Sequence, residues 1–80
     1  MFNTTEINRE IRKITYDYQA ERVNGAWFIE QTGLRKIAKL LGGKYEDLTK
    51  KQRKEFRSDC VNNVLDCMDV RSWKYYVNCA

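Results

Sequence analysis

The 80-residue chain contains no histidine, so the side chain most often used to move protons near neutral pH is absent. It also has no nucleophile elbow and no glycine-rich phosphate loop. Gly42-Gly43 is expected at the end of a helix, which is the wrong end for binding phosphate. The adjacent carboxylates Glu46 and Asp47 are expected in a solvated loop. We therefore predict that the protein is not an enzyme and has no catalytic residues.

Metal-binding patterns are equally scarce, because the chain has three cysteines and no pair with two residues between them. Cys60 and Cys67 would lie about 10 Å apart along one helix, which is too far for a disulfide. Without histidine, a zinc site would need all three thiolates and a carboxylate. We expect free thiols in a reducing compartment, with no metal and no cofactor.

No apolar run approaches the roughly 18 residues that a membrane span needs. The N-terminus lacks the basic segment and apolar core of a secretory signal. A chain of this length supports one domain, 1–80, with a single small core. The expectation is a soluble monomer or homodimer that is cytoplasmic, in the host cytoplasm if a phage encodes it, and that contacts no membrane.

The longest periodic run extends from Thr49 to Val70 and predicts a helix, here called the third. Thr49 and Gln52 have the spacing of a capping box. The residues predicted on its buried face are Phe56, Cys60, Val61, Val64, Leu65, Cys67 and Met68. Those predicted on its solvent side are Glu55, Asp59, Asn62, Asn63 and Asp66.

Two further helices are predicted, residues 3–14 with Asn3 as N-cap and residues 32–41 with Thr32 as N-cap and Gly42-Gly43 as the stop. Between them, Asn24-Gly25 indicates a two-residue hairpin turn. The predicted hairpin covers 15–31 and sets Ala20 opposite Ile29, with Tyr18 and Trp27 on the same face. Residues 15–23 could instead continue the first helix.

The alternation of Trp73, Tyr75 and Val77 predicts a closing strand over 72–78. Three antiparallel strands are about the minimum for a stable sheet. The predicted fold class is therefore α+β, in the order α-β-β-α-α-β, with three helices against a three-stranded antiparallel sheet.

Positive charge is concentrated in the middle of the chain. Nine bases and three acids between Leu34 and Arg57 leave +6 there, and the remainder of the chain carries −2. Several of these bases crowd the first turns of the third helix, where each cation costs roughly 0.3–1 kcal/mol against the helix dipole. A sequence selected for helix stability alone would not use this order. The distribution predicts an anionic partner.

The run TGLRKIAKLLG, residues 32–42, resembles the first helix of a helix-turn-helix motif. The connection from Gly42 to Leu48 is longer than the three- or four-residue turn of that motif, and the next helix is acidic along its predicted outer side. We therefore do not predict a recognition helix in a major groove.

The leading hypothesis is a non-catalytic module whose basic surface contacts phosphates of a nucleic acid or a nucleoprotein complex. The predicted contact residues are Arg35, Lys36, Lys39, Lys44, Lys50, Lys51, Arg53, Lys54 and Arg57, with Tyr45 and Tyr76 as candidate aromatic contacts. A larger aromatic set could stack bases, although such residues more often pack a core: Tyr16, Tyr18, Trp27, Phe28, Trp73, Tyr75 and Tyr76.

A second hypothesis belongs to another class. The chain is short, rich in Asn, Lys and Tyr, and has neither proline nor histidine. In this length and composition it resembles the small accessory inhibitors of phages and mobile elements, anti-CRISPR proteins among them. The resemblance implies occlusion of a host protein complex, with the same bases pairing with an acidic surface. A third alternative is that the bases only keep a small domain soluble.

Overall fold

The fold, seen in a computed structural model that describes residues 4–21, 27–66 and 68–79, is mostly helical. Its elements are α1 (Thr4–Asp17), β1 (Gln19–Glu21), β2 (Trp27–Ile29), α2 (Gln31–Leu40), a 3-10 helix (Tyr45–Asp47), α3 (Lys50–Leu65) and α4 (Trp73–Val77). The two strands form one antiparallel pair. The prediction of three helices against a three-stranded sheet is therefore wrong.

α1 continues to Asp17, beyond the predicted end at residue 14. Ile11 and Thr15 are buried on one face of it, four residues apart. The Thr15 hydroxyl donates to the Ile11 carbonyl oxygen at 2.8 Å, which satisfies a buried polar group within the helix. The hairpin therefore does not start at residue 15. The predicted cap at Asn3 lies outside the described residues.

The sheet register differs from the predicted one by a single residue. Ala20 pairs with Phe28, and Gln19 pairs with Ile29. Because side chains alternate along a strand, this slip places Ala20 and Ile29 on opposite faces. Ile29 is buried in the core, whereas Phe28 is half-buried. The predicted turn at Asn24-Gly25 lies outside the described residues.

The start of α2 packs closely on the end of α1. A Cβ at Gly33 would lie 2.6 Å from the Cβ of Tyr18, so only glycine allows this approach. The helix begins at Gln31 with Glu30 as N-cap, and the predicted N-cap at Thr32 is wrong. Its inner face carries the predicted residues Leu34, Ile37 and Ala38, all buried.

The predicted stop of α2 at the glycine pair is confirmed. Gly42 has φ +88°, a left-handed conformation that favours glycine. The N–H of Gly43 donates to the Ala38 carbonyl at 2.9 Å, and the N–H of Gly42 donates to the Lys39 carbonyl at 3.0 Å. This pair of bonds is a Schellman motif, which satisfies carbonyls at the helix end.

The capping box that starts α3 is also confirmed, with Thr49 Oγ1 accepting from the Gln52 N–H and Gln52 Oε1 accepting from the Thr49 N–H. The helix ends at Leu65 rather than at Val70. Its buried residues are Phe56, Cys60 and Asn63. Leu65 and Met68, predicted on the buried face, are exposed.

Asn63 explains why the chain leaves the helix and turns back. This residue, predicted on the solvent side, is fully buried. Its Nδ2 donates to Asn8 Oδ1 at 3.1 Å and to the Met68 carbonyl at 2.9 Å. The Val70 N–H donates to the same Asn8 oxygen at 2.8 Å. These bonds hold the segment after α3 against α1 and bury Val70 without a helix.

The predicted C-terminal strand over 72–78 is wrong, because residues 73–77 form α4. Tyr76 is fully buried and Trp73 is half-buried, at helical spacing, while Tyr75 and Val77 are exposed. Local backbone bonds take the place of strand pairing here, from the Tyr75 N–H to the Ser72 carbonyl and from the Asn78 N–H to the Lys74 carbonyl. The Tyr76 hydroxyl donates to Asp59 Oδ2 at 2.6 Å and accepts from the Arg71 N–H at 3.1 Å.

Replacing Thr49 with alanine should destabilise the protein by about 1 kcal/mol, because the Gln52 N–H loses its acceptor. Thr32→Ala is the matched control and should change the free energy of unfolding by less than about 0.5 kcal/mol, since Thr32 caps nothing. Urea unfolding of both variants measures the difference. Equal losses would contradict the observed start of α2.

Tyr76→Phe should cost about 1–3 kcal/mol, because it leaves Asp59 and the Arg71 N–H without their shared partner. Tyr75→Phe removes the same hydroxyl from an exposed ring and should cost less than about 0.5 kcal/mol. Thermal or urea unfolding distinguishes the two. If both variants unfold like the wild type, the docking of α4 through Tyr76 is incorrect.

Candidate anion-binding site

α3 carries opposite charges on its two flanks. At about 100° per residue, Lys50, Arg53 and Arg57 lie to one side of its buried edge, and Glu55 and Asp59 lie to the other. These bases therefore sit beside the buried row.

The carboxylates of the acidic flank interact with Arg71 of the same chain. Arg71 Nη1 lies 3.8 Å from Glu55 Oε1, and Arg71 Nε lies 3.8 Å from Asp59 Oδ2. The same guanidinium lies 4.2 Å from the centroid of the Tyr75 ring. Arg71, in the segment before α4, thus lies beside both carboxylates of α3, whereas the basic flank has no such partner within 4 Å in the described part of the chain.

The basic flank lines an open cleft of about 390 Å³, here called the basic cleft. Its lining residues are Phe28, Ile29, Gln31, Leu34, Tyr45, Lys50, Arg53 and Arg57. None of these is acidic, and within the described ranges Lys50, Arg53 and Arg57 form no ion pair. The nearby Glu30 is exposed but does not line the cleft. Three cations meet here without an ion-paired carboxylate, and the carboxylate nearest to Arg53 is that of Glu46, whose pKa Arg53 helps to lower.

Arg53 is the cation whose orientation is set by the fold. Its Nε donates to the Tyr45 carbonyl at 3.4 Å, and its Nη2 donates to the Glu46 carbonyl at 3.3 Å. Its guanidinium lies 4.9 Å from the centroid of the Tyr45 ring. The backbone of the 3-10 helix thereby holds this side chain in place before any ligand arrives. Lys50 and Arg57 are exposed beside it.

A second groove, of about 720 Å³, shares Tyr45 of the 3-10 helix with the basic cleft. Its charged lining residues are Arg35, Lys39, Lys44, Glu46 and Asp47. Arg35 Nε donates to Glu46 Oε1 at 2.5 Å. The pKa of Glu46 is lowered, first by a bond from its own backbone N–H and then by Arg35. Two carboxylates oppose three bases here, so this mixed groove attracts anions less strongly than the basic cleft.

The remaining predicted bases lie apart from both places. Lys36 Nζ lies 5.1 Å from the centroid of the Tyr18 ring, and hydrogen bonding to that side chain raises the pKa of Lys36. Lys51 and Lys54 are exposed on the solvent side of α3. Of the nine bases predicted from the sequence, the structure therefore brings three into the basic cleft and three into the mixed groove.

Neither candidate aromatic contact is at the surface. Tyr45 is 4% exposed and Tyr76 is 0% exposed. Four residues of the basic cleft were missed as site residues: Phe28, Ile29, Gln31 and Leu34. Phe28 belonged to the aromatic set considered for base stacking, whereas nothing in the sequence pattern marked Gln31.

The described residues contain no cluster of Cys, Asp and Glu side chains that could hold a metal ion, and none of their helices is both long and apolar enough to cross a bilayer. The Cys60 thiol is buried, and burial raises its pKa, which suppresses the reactive thiolate. Cys67 lies outside the described residues.

Comparison with known proteins assigns no family. No family model, curated protein or solved structure matches the chain. The functional conclusion therefore depends on the charge and geometry of the basic cleft.

Arg53→Lys should lower the free energy of unfolding by about 1 kcal/mol, because a lysine cannot reproduce the two bonds to the Tyr45 and Glu46 carbonyls. Arg57→Lys is the matched control from the same flank and should change it by less than about 0.5 kcal/mol. Urea unfolding compares them. Equal stability of both variants would show that the 3-10 helix does not hold Arg53.

Proposed function

We propose that the protein is a non-catalytic binding module that contacts the phosphates of a nucleic acid, alone or within a nucleoprotein complex, through the basic cleft. The observation that carries this proposal is the lining of that cleft, where Lys50, Arg53 and Arg57 meet with no carboxylate among the described lining residues. Arginine donors match the geometry of phosphate oxygens, and charge-assisted bonds are the stronger kind.

The placement of the other bases favours a polymer with repeating charge as the ligand, rather than a single anion. Tyr45 lines both the basic cleft and the mixed groove, so the two are adjacent. Lys39 and Lys44 in the groove extend the positive surface beyond the cleft. Cations thus line both the cleft and the groove, and the path of a phosphate chain between them must pass beside the exposed carboxylates of Glu46 and Asp47 on the 3-10 helix. Each neutralised phosphate releases counterions, which favours binding at low salt.

The energetics of α3 support the same proposal. Cations in its first turns oppose the helix dipole at roughly 0.3–1 kcal/mol each. The carboxylates of the opposite flank lie beside Arg71, whereas Lys50, Arg53 and Arg57 form no ion pair within the described part of the chain. An anionic ligand would supply the missing partner.

Fluorescence anisotropy with labelled oligonucleotides at about 50 mM and 200 mM salt tests the proposal. The wild type should bind, and the logarithm of its affinity should fall with the logarithm of salt by about 0.7–0.9 per phosphate contacted. Arg57→Glu should weaken binding about tenfold or more and reduce the salt slope by about 1, since it removes one contact and adds a repulsion.

Lys13→Glu provides the matched control, because it makes the same charge change at an exposed position of α1. It should weaken binding only about two- to threefold through the long-range field. Absence of binding at low salt, or equal losses in the two variants, would contradict the proposal. A protein partner kept from host lysate after nuclease treatment, and lost in Arg57→Glu, would favour the occluding inhibitor instead.

A further inference from the structure

Glu46 of the 3-10 helix is bound by two guanidinium groups that come from two different helices. Its backbone carbonyl accepts from Nη2 of Arg53, which lines the basic cleft, at 3.3 Å. Its carboxylate lines the mixed groove, where Oε1 accepts from Nε of Arg35 on α2 at 2.5 Å. The main chain of this residue therefore holds a cation of the cleft, while its side chain is held in the groove.

The Glu46 carboxylate is a negative charge close to the proposed phosphate site. The pKa of this carboxyl is lowered, first by a bond from its own backbone N–H, then by Arg35 and with a smaller contribution from Arg53, so the group is ionised at neutral pH. Within the described residues it forms an ion pair with Arg35 and none with Arg53. Because like charges repel, the direction of this side chain matters for any anion in the cleft.

Arg53 is the alternative partner for this carboxylate, since its guanidinium is already bonded to the carbonyl of the same residue. Carbonyls use its Nε and one hydrogen of Nη2, and the other N–H groups are left for a ligand. If the Glu46 carboxylate turned toward Arg53, a bidentate pair would take those donors and place a negative charge beside the cleft. The bond to Arg35 opposes that rotation.

We propose that Arg35 is a positioning residue for the basic cleft: its ion pair keeps the Glu46 carboxylate in the mixed groove, so that Arg53 remains available to phosphate. This inference rests on the proposed function, and it gives Arg35 a role other than the direct phosphate contact expected from the sequence. An ion pair between two exposed side chains contributes little to stability. The effect of this pair is therefore expected in binding and not in the free energy of unfolding.

A double-mutant cycle on Arg35 and Glu46 tests the inference, with the affinity for one labelled oligonucleotide as the readout. Arg35→Gln should weaken binding about fivefold at about 50 mM salt and reduce the salt slope by about 1, because the carboxylate then occupies Arg53. Glu46→Gln should bind at least as tightly as the wild type. In the Glu46→Gln background, Arg35→Gln should cost less than about twofold and leave the salt slope unchanged, since no carboxylate remains to compete.

Lys39→Gln is the matched control, because it removes the same charge from the same groove, four residues further along α2. Lys39 forms no ion pair in the described part of the chain, so its loss of affinity should be the same with and without Glu46→Gln. Arg35, Lys39 and Glu46 are all exposed, and urea unfolding of every variant should match that of the wild type.

The outcomes separate the inference from the function on which it rests. Equal losses from Arg35→Gln with and without Glu46→Gln would show that Arg35 acts directly on the ligand, and would overturn the inference while phosphate binding stands. No loss from Arg35→Gln in either background would also overturn it. Failure of the wild type to bind single-stranded or duplex oligonucleotides at low salt would overturn the proposed function and the inference with it.

Discussion

The burial of Phe56 is the constraint on which the rest of the structure depends. Its ring centroid lies 5.5 Å from Trp73, 5.1 Å from Tyr76 and 6.1 Å from Tyr45, so one side chain joins α4 and the 3-10 helix to α3. Burying an aromatic side chain of this size contributes about 1.5–3 kcal/mol, which offsets the cost of the cations at the start of the same helix. The helix can therefore keep an unfavourable charge order where the proposed function needs it.

The same packing determines where the charge is directed. Once Phe56 faces inward, Arg53 and Arg57 fall on one flank of α3, and Glu55 and Asp59 fall on the other. Arg71 and Tyr76 engage the acidic flank, while the basic flank opens onto β2 and the start of α2. A helix with mixed charges thus presents a flank without carboxylates to the cleft, because Glu55 and Asp59 lie on the other flank beside Arg71. That sorting is the physical basis of the proposed function.

The sequence-based predictions were correct where the interacting residues are close in the chain and wrong where they are far apart. The capping box at Thr49 and Gln52 and the glycine stop after α2 were predicted correctly, because these bonds join residues three to five apart in the chain. The strand predicted over 72–78 was wrong. The alternating pattern there also contains Trp73 and Tyr76 at helical spacing, and the helix lets both rings pack against Phe56. The buried position of Asn63 was missed because its partner, Asn8, lies on a different helix.

The sequence by itself determined that positive charge would be concentrated between Leu34 and Arg57 and that the third helix would begin at a capping box, since both are properties of neighbouring residues. Only the tertiary structure decided which of those bases lie together. Arg35 pairs with Glu46, and Lys36 lies over the ring of Tyr18. Lys50, Arg53 and Arg57 line one cleft together with Phe28. The physical reason is that a carboxylate or an aromatic ring interacts strongly with a cation only at close range. The distance between the two groups is set by how segments that are distant in the sequence pack together.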